Sequence, residues 1–182
     1  GASLNEAELN NMALLLVWAS QDTTSRQLGR ALVAFSHNPG QWALLRQHPS
    51  LASAAAAETL RWTPQARMIH RYATHDLTYR DLHLAAGDFI FCCVVSANRD
   101  PLVVPAPDEF DIRRSQPGLQ LAFGGGPHHC LGRALARLEL TEALAALAER
   151  LGTPSVCGPI TWRDNLAMIH GPDVLPLKFA KP

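Results

Sequence analysis

Leu121-Ala-Phe-Gly-Gly-Gly-Pro-His-His-Cys-Leu-Gly132 decides how the rest of this chain is read. Three consecutive glycines let a backbone lie flat against something large, because no Cβ holds that object away. The run ends where Arg133-Ala-Leu-Ala-Arg137-Leu begins to read as a helix. Cys130 therefore falls near free backbone N–H groups and the positive end of a helix dipole, which favour a thiolate. A thiolate beside a side-chain-free loop suits the axial ligand of a planar metal macrocycle, and a cysteine-ligated heme answers that description. Two other readings fit the same residues. One is a glycine-rich turn before a helix, with an inert, half-buried cysteine. The other is zinc held by His128, His129 and Cys130, although adjacent ligands in one loop suit zinc poorly and no C-x-x-C or H-x-x-x-H pair occurs elsewhere.

The bulk properties narrow the field. At 182 residues the chain is long enough for one domain with its own core. Lys and Arg total 16, as do Asp and Glu, so no net charge argues for nucleic acid or an anionic membrane as partner. The four cysteines show no paired spacing and no secretory signal opens the chain, which points to a reducing cytoplasm. No internal repeat or low-complexity linker is visible.

Upstream of the loop, Asn5 to about Ser36 reads as one long helix or two abutting ones, capped at Asn5 and stopped by His37-Asn-Pro-Gly40. Within it Met12-Ala-Leu-Leu-Leu-Val-Trp-Ala19 is apolar all round, as in a helix covered on every side. This apolar run is much shorter than the roughly 18 residues a membrane span needs. Ser20-Gln-Asp-Thr-Thr-Ser25 then interrupts it with mediocre helix formers. Either Thr24-x-x-Gln27 is a capping box that starts a second helix, or Asp22 and Thr23 bring an acid and an alcohol to one chemical event.

Pro39 to His48 makes a short helix with Trp42, Leu45 and Leu44 inward, and Ala52 to Trp62 the next. Glu58 and Arg61 stand three apart on one face of that second helix. They are either an exposed pair of little consequence or a bidentate pair at a tight helix contact among the alanines. From Arg67 the pattern turns to strands, with Gly87 in a turn before Asp88-Phe-Ile-Phe-Cys-Cys-Val-Val95. Cys92 and Cys93 read as core filler. Beyond the loop, Leu131 to Leu151 is an alanine- and leucine-rich helix ended by Gly152.

Phe123, Gly126, His128, Cys130 and Gly132 match, in order and spacing, the F-x-x-G-x-[RH]-x-C-x-G signature of the cytochrome P-450 family. Three further segments resemble that family in its order. Ala19-Ser-Gln-Asp22-Thr23 is similar to the A-G-x-[DE]-T sequence of its central helix, with Ser20 in place of the glycine. Glu58-x-x-Arg61 is similar to its E-x-x-R motif, and Pro107-Asp-Glu-Phe110 stands where its P-E-R-F motif would, with Glu109 at the arginine position. Arg99, Arg113 and Arg114 are then the candidates for third partner of Glu58 and Arg61.

The resemblance implies a mainly α fold with small antiparallel sheets, the later half of the P-450 fold, in one heme-thiolate unit over 1–182. Its parts would be a central helix (5–36), short helices with E-x-x-R (39–62), a β region (66–95), a meander (96–120), the cysteine loop and its helix (121–151) and a closing hairpin (153–182). It implies heme b (iron protoporphyrin IX), with Cys130 as the iron ligand. Contacts to the cofactor would come from Arg71, Phe123, Gly124, Gly126, His128, Gly132 and Ala136, with Arg71 and His128 toward its propionates.

Asp22 and Thr23 would deliver protons. Ala19, Arg67, Met68, Ile69 and Ile169, with Met168 as an alternative to Ile169, would line the substrate pocket. Glu58 and Arg61 would be structural. The implied activity is monooxygenation of a small organic molecule, in secondary metabolism, with electrons from a ferredoxin-type donor facing Arg133 and Arg137. The alternative is a truncated heme-binding protein without oxygenase turnover, an accessory subunit, or half of a two-chain assembly. The family's earlier half has no counterpart here, so Leu14 to Trp18 would need cover from a homodimer mate or a partner chain.

Overall fold

The computed structural model describes residues 3–114, 121–163 and 169–181. A single helix, α1 (Glu6–His37), opens the chain, its first turn closed by a capping box in which Asn5 and Glu8 exchange hydrogen bonds at 2.9 Å. The polar insert at Ser20–Ser25 does not break it, and the expected second start at Thr24 is absent. The side chains satisfy themselves along the helix instead. Ser20 Oγ donates to Val17 O (3.1 Å), Thr23 Oγ1 to Ala19 O (2.8 Å) and Ser25 Oγ to Asp22 O (3.2 Å). Gln27 caps nothing; it is buried and clamps the neighbouring chain, donating to Thr59 O and Thr63 O and accepting from Gln65 N.

After α1 come α2 (Pro39–Gln47) and, past a 3-10 turn, α3 (Ala52–Trp62). Strands β1 (Met68–Tyr72), β2 (Leu77–Tyr79), β3 (Leu82–Leu84) and β4 (Phe89–Cys93) follow, then the short α4 (Val94–Ala97). The last helix, α5 (Arg133–Arg150), leads into β5 (Pro154–Val156), β6 (Thr161–Trp162), β7 (Pro172–Val174) and β8 (Leu177–Phe179). All four described sheets are antiparallel pairs: β1 with β4, β2 with β3, β5 with β8 and β6 with β7. Mainly α with small antiparallel sheets is thus the architecture.

The core lies where the second half of α1 meets α2, α3 and α5. Ala31, Phe35, Trp42, Leu45, Ala55, Leu140 and Leu144 are fully enclosed there. Phe35 packs edge-on against Trp42 (5.1 Å) and Phe110 (5.3 Å), which pins the segment after α4 onto the helices. Alanines along α3 let its buried face sit close to α5. Each fully enclosed large apolar side chain contributes about 1.5–3 kcal/mol.

Leu14 to Trp18 lack cover from the described residues, as expected: Leu14 is 69% exposed, Val17 61% and Trp18 60%. Two expectations are corrected. Cys92 and Cys93 are not core filler. Both are exposed, so the described residues form no layer over this part of β4. Gly152 does not end α5 by a left-handed turn, since the positive-φ glycines are Gly87, Gly124 and Gly126 among the described residues. It is instead the point where backbones nearly touch, for a Cβ there would lie 2.2 Å from Ala180 O.

Candidate functional site

The glycine run folds into two 3-10 turns, Leu121–Phe123 and Gly126–His128, joined through Gly124 and Gly126, both at φ +73°. That conformation is left-handed, which explains glycine at these two places. Cys130 N donates to Phe123 O and His129 N to Gly126 O, each at 3.0 Å, closing the loop on itself. A Cβ on Gly125 or Gly126 would meet no heavy atom within 4 Å. The protein itself does not crowd either position. Cys130 stands at the loop's end as a free, exposed thiol, two residues before Gly132 caps α5 without any side-chain cap of its own.

The loop is braced from beneath by a buried pair. Arg61 and Glu58 are 0% and 1% exposed and bond bidentately, Nε to Oε2 and Nη2 to Oε1, both at 2.7 Å. Arg61 also donates to Asn98 O, Pro107 O and Glu109 O. Glu58 Oε1 accepts Asp111 N at 3.0 Å. The Nε of Arg114 lies 3.4 Å from Glu58 Oε2, so Arg114, of the three candidates, supplies the third charge. Asn98, fully buried, carries the brace on to the loop by accepting Leu121 N at 3.1 Å. Asn98 was not singled out by the sequence, and Gln27 was read only as half of a capping box; a buried amide satisfied by backbone leaves no local pattern to find.

Two elements approach the loop from either side. From β1, Arg71 Nη2 donates to Gly125 O (3.3 Å) while Nη1 holds His70 O (2.8 Å), so the guanidinium lies along the glycines. Ile69 comes with it, its Cδ1 3.6 Å from a Cβ built on Gly124. From α1, Thr23 shares a small cavity with Phe123 and Ala136. Ala19 is half-buried one turn earlier, and Ile169 is buried beside β1, bridging Ala66. Met68 and His128 are exposed. Met168 lies outside the described residues. Arg67 lines a different cavity, together with Arg30 and Arg99.

Asp22 is held on both oxygens, Oδ1 by Arg26 Nε (2.8 Å) and Oδ2 by Arg163 Nη1 (2.6 Å). Asp173 completes the group, 2.8 Å from Arg26 Nη2. Burial alone would lower the pKa of Arg26, but Asp173 and Asp22 outweigh it and hold it above its ordinary value. Among the described residues no three His, Cys, Asp or Glu side chains gather in a way that could hold a metal ion, which removes zinc at His128, His129 and Cys130. No described helix is long and apolar enough to cross a membrane.

A family profile described as Cytochrome P450 matches residues 41–151. The luteothin monooxygenase of Streptomyces thioluteus is 44% identical over 97% of this chain and 43% of its own length. The polyketide biosynthesis cytochrome P450 PksS of Bacillus subtilis is 37% identical over 100% of this chain and 45% of its own. Among solved structures, P450 RauA complexed with a biosynthetic intermediate of aurachin RE superposes with a TM-score of 0.92 at 32% identity, covering 100% of this chain and 44% of that one. The chain therefore spans less than half the length of these relatives.

Proposed function

The chain belongs to the cytochrome P450 family, and on that footing we propose that it is the cysteine-bearing part of a monooxygenase that oxidises a small organic molecule of secondary metabolism. The observation that carries the reading is the cradle itself: a left-handed glycine loop open to space at Gly125 and Gly126, ending in the free thiol of Cys130. A flat, rigid group is what such a surface accepts, and heme b would fit it, with Cys130 holding its iron. Phe123, Gly124, Gly126, Gly132 and Ala136 would pack against it, and Arg71 and His128 would meet its carboxylates. Heme held there would supply the redox chemistry of oxygen activation.

The remaining steps belong to the protein. Thr23 Oγ1 spends its proton on Ala19 O, so its lone pairs remain to hold a water on the loop side of α1. Asp22, next in sequence, is the acid that passes protons toward that water, its two oxygens each held by one arginine. Ala19, Met68, Ile69 and Ile169 would form the apolar wall toward the substrate. Arg133 and Arg137, exposed at the start of α5, present cations to an acidic, ferredoxin-type donor. Leu14–Trp18 would be covered by a second copy or a partner chain, because so large an apolar patch promotes association.

The deciding experiment is the absorption spectrum of the reduced, carbon-monoxide-bound protein. A strongly red-shifted Soret band, lost in Cys130→Ala, is the expected result. Failure to take up porphyrin, or a nitrogen-ligated spectrum with the thiol still titratable, overturns the reading.

A further inference from the structure

Arg26 and Arg30 stand one turn apart on α1 in opposite electrostatic settings. Arg26 lies between two carboxylates, whereas Arg30 has none within ion-pair distance among the described residues. Arg30 donates instead to Thr63 O (3.0 Å) and to His170 Nδ1. It also opens into a cavity of about 430 Å³ that Arg67 and Arg99 share with it. Among the described residues no acidic side chain lines this cavity. Arg99 Nε lies 3.8 Å from Asp108, which is 88% exposed. Three guanidiniums thus converge on one space that no described carboxylate lines.

These cations are not loose surface arms. Arg99 lies over the Trp62 ring at 4.3 Å and donates to Trp62 O at 2.8 Å. Arg30 sits 5.7 Å from the Trp162 ring, whose other neighbour, His170, stacks on it at 5.3 Å and 7°. Two indoles and two backbone carbonyls therefore fix the directions of the forks. The proximity has a cost. Burial, reinforced by Arg67 and Arg99, pulls Arg30 down to about 10, and burial with Arg30 and Arg67 keeps His170 below its usual range. A guanidinium taken out of water without a counter-charge is unfavourable until an anion arrives. The lining shares no residue with the cysteine loop or with the cavity of Thr23, so this is a second site.

We propose that the cavity between α1, the end of α3, α4, Trp162 and His170 binds a small metabolite through an oxyanion of two or more negative charges, phosphoryl or polycarboxylate, held by Arg30, Arg67 and Arg99. The volume exceeds that of a bare ion and falls in the range of small-molecule pockets. Planar forks suit either oxyanion bidentately. Arg67 is the adjustable member: it is exposed and holds the rest of the fold only through its backbone carbonyl, which accepts Val94 N. The inference stands apart from the heme reading, since no group of the cysteine loop takes part.

The test is calorimetric titration of the full chain with pyrophosphate and, separately, with citrate, sodium chloride at equal ionic strength being the control. Saturable binding of either is expected; the tighter of the two identifies phosphoryl or polycarboxylate as the preferred head group. Arg67→Gln should weaken it by about tenfold or more without changing the unliganded melting temperature; Arg99→Gln should weaken it as much but also lower that temperature, because it loses the stack on Trp62 and the bond to Trp62 O. No saturable heat beyond chloride in the wild type overturns the proposal. So does an Arg67→Gln protein that titrates like the wild type.

Discussion

Arg163 Nη1 lies 2.6 Å from Asp22 Oδ2, joining the middle of α1 to the end of β6 across 141 residues of sequence. The acid proposed for proton delivery is therefore held by a cation on another element. Arg26 grips the opposite oxygen from within the helix and is itself tied to Asp173. Arg163 is the looser partner, 34% exposed and reaching Asp173 only at 3.7 Å. Arg163→Gln is expected to cost no more than about 1 kcal/mol of stability, because the pair is partly solvated. Asp22→Asn removes the proton-passing group and should lower the rate of substrate oxidation by about 100-fold at unchanged KM. Urea melts and steady-state kinetics of the two variants check both statements.

The pair Glu58–Arg61 behaves differently because water does not reach it. Arg61→Ala leaves a buried carboxylate facing the backbone of Asp111 and the 3.4 Å contact of Arg114. About 3–5 kcal/mol of lost stability is expected, read as a shift in the denaturation midpoint. Arg61→Lys should recover only part of this, since one ammonium cannot replace a fork that also donates to Pro107 O and Glu109 O. Equal stability of wild type and Arg61→Ala would mean the pair braces nothing.

How much of this was legible in the sequence depended on whether a residue's role is local. The cysteine loop was, because left-handed glycines and an end-placed cysteine are written in adjacent letters. Glu58 and Arg61 were, because helical spacing sets them on one face. The continuity of α1 was not: the hydroxyls of Ser20, Thr23 and Ser25 can cap a new helix or bond back to the previous turn, and only neighbouring structure selects the second. Arg67 was assigned by its place in the chain, but its side chain joins Arg30 and Arg99 from distant segments. Cys92 and Cys93 were misjudged as core because a strand pattern does not reveal whether a second layer covers it.

His170 gives the pH dependence. Burial first, then Arg30 and Arg67, lowers its pKa below the ordinary 6.5. A histidine depressed on folding contributes stability that is complete above its unfolded value and is lost as pH falls through the folded one. Stability should therefore decline below about pH 6 with a component that His170→Asn removes. A bound polyanion would favour the protonated imidazole, raise the folded value back toward 6.5 and so shrink that decline. Melting temperatures across pH 4.5–8, with and without pyrophosphate, measure both, and identical profiles for wild type and His170→Asn would contradict the assignment.

Gly152 offers a steric test of the closing strands. Its backbone passes Ala180 so closely that an added Cβ would stand 2.2 Å from Ala180 O, 2.7 Å from Ala180 C and 3.0 Å from Lys181 O, all of them backbone atoms unable to swing aside. Gly152→Ala must part β5 from β8, where Ala180 N now donates to Thr153 O at 3.0 Å. A loss of about 1–3 kcal/mol follows from overpacking at such a point. Gly40, whose added Cβ would meet nothing within 4 Å, serves as the contrast. It lies in α2, so Gly40→Ala should be neutral or slightly stabilising. Hydrogen exchange should localise the Gly152→Ala effect, with faster exchange at Ala180 N and unchanged protection along α3 and α5, where the strands are not needed.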